Sequence, residues 1–116
     1  MTRVKKGVNA LKTRRNILSQ VKGYRFGRSS KERQAYEAIS HAGTYAFDHR
    51  KDKKGDFRRL WNVRLSAHLK ENGLSYSKFI PLLKNKGIAL DRKILSHLAD
   101  KHPETLNKII EYVRPG

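Results

Sequence analysis

The first 31 residues hold ten basic side chains and no carboxylate, and the first acid in the chain is Glu32. A segment charged in this way repels itself and cannot collapse without counter-charge, so a polyanion is the expected partner. The imbalance fades along the chain. Residues 1–60 carry 17 basic and 5 acidic side chains, whereas residues 61–116 carry 10 and 5. This pattern describes a basic arm joined to a domain of more ordinary charge. With 116 residues and a formal charge of +17, one ordinary domain is the upper limit.

Within the arm, Val8, Leu11, Leu18 and Val21 hint at a helix that Gly23 and Gly27 interrupt. So few apolar side chains do not offset the entropy of ordering a backbone. The arm is therefore expected to be disordered alone and helical on RNA. Its candidate contacts are Arg3, Lys5, Lys6, Lys12, Arg14 and Arg15, then Lys22, Tyr24, Arg25 and Arg28. The stretch Gly23-Tyr24-Arg25-Phe26-Gly27-Arg28 interleaves three chemistries. Glycine permits close backbone approach, arginine forks onto phosphate, and aromatic rings stack on unpaired bases.

Ser29 or Ser30 is expected to cap a helix running from about Lys31 to Asn72, with the small residues Ala35, Ala42 and Ala46 and Ile39 on one face. Such a helix is roughly 60 Å long at 1.5 Å per residue, more than so small a domain can cover. Gly43 and Gly55 weaken it by about 1 kcal/mol each. Its middle section changes character. Arg50, Lys53, Lys54, Arg58, Arg59 and Arg64 supply charge for phosphate, while Phe57, Trp61, Leu65 and Leu69 recur every four residues as one apolar stripe. On that periodicity Trp61 is expected to pack inward, where it would set how the arm leaves the domain, rather than to stack on a base.

From Leu60 onward the signals are those of a small helical domain. Asn72-Gly73 ends the long helix, with glycine in the left-handed position. Ser75 is expected to cap a second helix bearing Tyr76, Phe79, Ile80 and Leu83, which Gly87 stops. Asp91 is expected to cap a third with Ile94, Leu95, Leu98 and Ala99 inside. Pro103 suits the first turn of a fourth, with Leu106, Ile109, Ile110 and Val113 inward. No strand pattern occurs. The expected fold is all-α: a basic helical extension over residues 1–55 and a small helical domain over 56–116.

Several functions are excluded by what the sequence lacks. Without cysteine there is no disulfide, thiolate chemistry or cysteine-ligated zinc. No apolar run approaches the roughly 20 residues needed to cross a bilayer, and no secretory h-region follows the basic start. A soluble intracellular protein is expected. His41, His49, His68, His97 and His102 lack metal-site spacing and are read as surface or RNA-facing. The acids form no paired-carboxylate site, and no phosphate-cradling glycine motif occurs. No enzyme, cofactor, metal site, membrane partner or small-molecule substrate is expected.

Particular residues then carry a resemblance. Lys54-x-x-x-Arg58-x-Leu60-Trp61-x-x-Arg64-Leu65, Asn72-Gly73-Leu74-Ser75-Tyr76-Ser77-x-Phe79-Ile80 and Leu90-Asp91-Arg92-Lys93-Ile94-Leu95 resemble the bacterial and organellar large-subunit ribosomal protein L-twenty family. Arg3-Val4-Lys5-x-Gly7, Lys22-Gly23-Tyr24 and His41-Ala42-Gly43-x-Tyr45-Ala46 agree with it. Asn62 and Ser66 depart from it, standing where the family has Ile or Val and Asn. The resemblance implies an all-helical protein whose basic extension penetrates large-subunit ribosomal RNA, among neighbouring large-subunit proteins, with a role in early assembly. It also implies a place in the ribosome, of the cytoplasm or of an organelle. The alternative is a DNA-binding module in which helices 76–86 and 92–101 imitate a helix-turn-helix. A membrane-surface peptide is disfavoured, because residues 1–30 lack one wide apolar face.

Overall fold

The structure, a computed structural model, describes residues 1–115. Among them the secondary structure is helical, with no strand: α1 (Gly7–Gln20), a one-turn 3₁₀ helix (Phe26–Ser29), α2 (Glu32–Glu71), α3 (Tyr76–Asn85), α4 (Arg92–Lys101) and α5 (Pro103–Val113). The all-α expectation holds. The chain divides into two compact units, Met1–Lys51 and the remainder from Asp52.

In the first unit, α1 forms where the sparse Val8-to-Val21 pattern hinted at a helix. It stops at a turn in which Gly23 has φ +86° and the Tyr24 amide donates to the Val21 carbonyl at 3.1 Å. Val21 and Ala35 are the fully buried apolar side chains of this unit, with Ile17, Leu18, Ala38 and Ile39 half-buried. Arg14 donates from its guanidinium to the Ser30 carbonyl at 2.9 Å, so a basic side chain closes the turn as well.

The expected caps at Ser29 and Ser30 are not used. The Ser29 hydroxyl donates back to the Phe26 carbonyl, and Ser30 precedes the first residue of α2 by two positions. The intervening 3₁₀ turn takes over the serines, because the Lys31 amide already bonds the Gly27 carbonyl at 2.8 Å. From there α2 runs for 40 residues straight through Gly43 and Gly55. Neither glycine has a positive φ, so each weakens the helix without ending it.

The second unit begins inside α2. Leu65 and Leu69 are fully buried and join Phe79 and Leu83 of α3, Leu95 of α4 and Leu106, Ile110 and Val113 of α5 in one core. The four-residue stripe is thus only half used. Phe57 is 46% exposed, and Trp61 is half-buried outside that core, tilted against the Phe57 ring at 6.2 Å between centroids. Periodicity placed both on the correct helical face, but the domain packs only against the last two turns of that face.

Helix ends follow local chemistry. Gly73 (φ +67°) lets its own amide reach the Lys70 carbonyl and the Leu74 amide reach Leu69. Gly87 (φ +69°) repeats the motif with Lys84 and Leu83. Asp91 caps α4 by accepting from the Ile94 amide at 2.8 Å, and Pro103 opens α5. Ser75 occupies the cap position of α3, but its hydroxyl bonds Ser77 instead of the backbone. Pro81 lies within α3, where its missing N–H leaves the Ser77 carbonyl without its helical partner.

One core assignment needs correction. Ile94 is 47% exposed, while Ser96 is buried in its place. Helix α4 is rotated about Leu95 toward its serine side. Both α3 and α4 pack on α5, and a side chain as small as Ser96 suits a close approach.

Candidate nucleic-acid interface

All sixteen candidate contacts lie on the surface. Arg3, Lys5 and Lys6 precede α1, and Lys12, Arg14 and Arg15 ride on it. Lys22, Tyr24 and Arg25 form the turn, with Arg28 in the 3₁₀ helix. Arg50, Lys53, Lys54, Arg58, Arg59 and Arg64 project from α2. Among the described residues the Lys/Arg–carboxylate pairs are Arg59–Asp56 at 3.3 Å and Lys101–Asp100 at 3.4 Å, both in the second unit. No lysine or arginine of the first unit is therefore paired with a carboxylate among the described residues. Exposed pairs of the Arg59–Asp56 kind contribute well under about 1 kcal/mol and yield readily to a phosphate. Arg64 opens onto a shallow cleft of about 250 Å³ shared with Glu71 and Asp100, in a less positive setting than the others.

The structure brings Tyr24 and Arg28 together at an open cleft of about 840 Å³ within the first unit. One wall is the turn, with Tyr24, Phe26 and Arg28. The other is a single face of α2, built from Gln34, Glu37, Ala38, His41, Ala42 and Tyr45. Phe26 is 86% exposed and holds φ +57°, a backbone conformation unusual for a bulky side chain. Rings continue along α2: His41 stacks on Tyr45 at 6.2 Å and Tyr45 on His49 at 5.7 Å. A Cβ at Gly27 would meet the end of the flexible Gln34 side chain, which can swing aside.

Sequence reasoning singled out neither Glu37 nor Tyr45; it included Phe26 only in the stretch of interleaved arginines and aromatics, and read His41 only as surface or RNA-facing. The signal for part of this was present, since His41, Tyr45 and His49 are spaced four apart and must share a helical face.

His68 is not a surface residue. Its Nε2 lies 2.7 Å from Asn107 Oδ1, and Asn72 Nδ2 donates to the same oxygen at 3.2 Å and to the His68 carbonyl at 3.0 Å. The Arg114 guanidinium then donates to the Asn72 carbonyl. These bonds clasp the end of α2 to α5. His97 and His102 are exposed, with tilted rings 6.1 Å apart.

The family model described as "Ribosomal protein L20" matches residues 3–109 of the chain. The chain belongs to the ribosomal protein L20 family. It is 44% identical over 116 residues to the large ribosomal subunit protein bL20 of Sorangium cellulosum, covering 100% of this chain and 98% of that one. It is 44% identical over 114 residues to the protein of the same name from Roseiflexus sp., covering 98% and 97%. With that of Leptospira biflexa it shares 46% over 111 residues, covering 96% and 95%. The family is one of ribosomal proteins, and its member here is structural rather than enzymatic. Among the described residues no helix is long and apolar enough to cross a membrane.

Proposed function

We propose that this protein is a structural constituent of the large ribosomal subunit that binds large-subunit ribosomal RNA directly and supports early subunit assembly. One observation carries most of the proposal: the lysines and arginines of the first unit lack carboxylate partners among the described residues. Bringing RNA helices together requires neutralising phosphates where they crowd, and slender cationic helices suit such crevices. The sixteen basic and aromatic contacts named above position the protein through phosphates, and RNA shape supplies most of the specificity. Neighbouring large-subunit proteins are the further partners, and the ribosome is the place of action.

The DNA-binding alternative draws little from the fold. Both α3 and α4 brace on α5, which lies outside any helix-turn-helix they would form. Binding of the full chain to a structured large-subunit ribosomal RNA fragment and to duplex DNA, at matched salt, tests the reading. Tighter binding to the RNA is expected, and equal or tighter binding to DNA overturns it.

A further inference from the structure

Most of the first unit's surface suits phosphate, but the Glu37 side of the cleft between the turn and α2 does not. Glu37, one of few acids in the unit, lines the cleft, and none of the ion pairs among the described residues involves it. A free carboxylate repels phosphate and accepts hydrogen bonds from a donor edge. Around it stand the rings of Tyr24, Phe26 and Tyr45, while Ala38 and Ala42 leave the floor open. Phe26 is the most telling of these. It is exposed and held in left-handed backbone, an arrangement that costs free energy and has no packing reason.

We infer that this cleft takes one unpaired guanine of the RNA, stacked on Phe26 and read at its Watson–Crick edge by Glu37. The inference rests on the RNA-binding reading above. Guanine is selected by chemistry: its N1–H and N2 amino group are adjacent donors that match the two oxygens of a carboxylate. Adenine places an acceptor at N1 and meets Glu37 unfavourably. Uracil has a single donor, and its smaller ring stacks less. Arg28, at the same cleft, is placed for the phosphate of that nucleotide.

The test uses the full chain and fluorescein-labelled short oligouridylates carrying one central guanosine, inosine, adenosine or no purine, compared by anisotropy at fixed salt. The guanosine probe should bind roughly 5- to 150-fold tighter than the adenosine probe, the discrimination of a good bidentate base contact. Inosine, which lacks the N2 amino group, should fall between them. Glu37→Gln should erase the preference without weakening binding to the purine-free probe. Phe26→Gly relieves the left-handed backbone, so helicity by far-UV circular dichroism should persist. That variant should bind the guanosine probe less tightly by roughly 5- to 150-fold, the share of one stacked base. Equal binding of guanosine and adenosine probes, or wild-type affinity in Phe26→Gly, overturns the inference. If the protein binds structured ribosomal RNA yet shows no base preference, only the guanine site falls. If it binds no RNA at low salt, the reading beneath falls with it.

Discussion

Val21 in the first unit and Phe79 in the second are equally inaccessible to solvent, yet they do different work. Phe79 is one of eight buried side chains drawn from four helices, so removing any member leaves a cavity that the others must fill. Val21 shares its unit with a single other fully buried residue, Ala35, whose side chain is one methyl group. The first unit is held by turn geometry, helix hydrogen bonds and an arginine on a carbonyl. The second is held by apolar area. What differs beneath this is the density of charge. A segment with ten cations before its first acid cannot also carry the apolar residues of a core.

The largest test of this contrast is salt. If six to ten phosphates are neutralised, affinity of the full chain for ribosomal RNA should fall roughly 10³- to 10⁵-fold between 50 and 200 mM salt. A fragment beginning at Asp56 should lose most of that slope in the same titration. A fragment as salt-sensitive as the whole would place the interface in the second unit.

Next comes the core. That fragment should fold alone, and Leu83→Ala within it should cost roughly 2–5 kcal/mol, enough to unfold a domain this small in a urea titration. A loss under about 1 kcal/mol would mean that Leu83 is not central to the core.

Amide exchange on free protein then compares the units directly. Amides of α1 should open at close to zero free energy and those of α5 near the global value, with RNA raising the first set. Protection throughout α1 without RNA would show that Val21, Ala35 and the Arg14 contact suffice.

Trp61 gives a smaller effect. Half-buried and outside the core, it should tolerate Trp61→Phe with a melting point lowered by a few degrees, about 4–8 °C corresponding to ~1 kcal/mol at this size. RNA affinity should be largely kept. An unchanged melting point with weakened RNA binding would make the ring a base platform.

Of similar size but opposite sign, Ser96→Ala should raise stability by about 1 kcal/mol in thermal melts, because the buried hydroxyl has no hydrogen-bond partner among the described residues. A loss of that size would reveal a partner for it.

Much of this molecule was legible from local rules. Gly73, Gly87, Asp91 and Pro103 mark helix ends because a left-handed residue, a capping carboxylate and a missing N–H act within one turn. The cationic arm was equally plain, since charge needs no fold to be counted. The serine caps were less legible: the Ser29 hydroxyl bonds the Phe26 carbonyl, and Ser75, although at the cap position, pairs its hydroxyl with that of Ser77, because short polar side chains choose between alternatives of similar energy.

Periodicity names a helical face but not how far along the helix a neighbour covers it. Phe57 and Leu69 therefore look alike in sequence and differ in burial. The same limit explains Ile94 and Ser96, since rotating α4 by one residue's arc exchanges them and depends on what α5 presents. His68 looked like a surface base until Asn107, 39 residues away, supplied its acceptor. The cleft, too, required the turn at Phe26 and the α2 face bearing Tyr45 to line one space. Charge, caps and stops are properties of neighbouring residues, so the order of letters carries them. Burial, pairing and clefts arise from distant residues packed together, and only the folded chain brings those into contact.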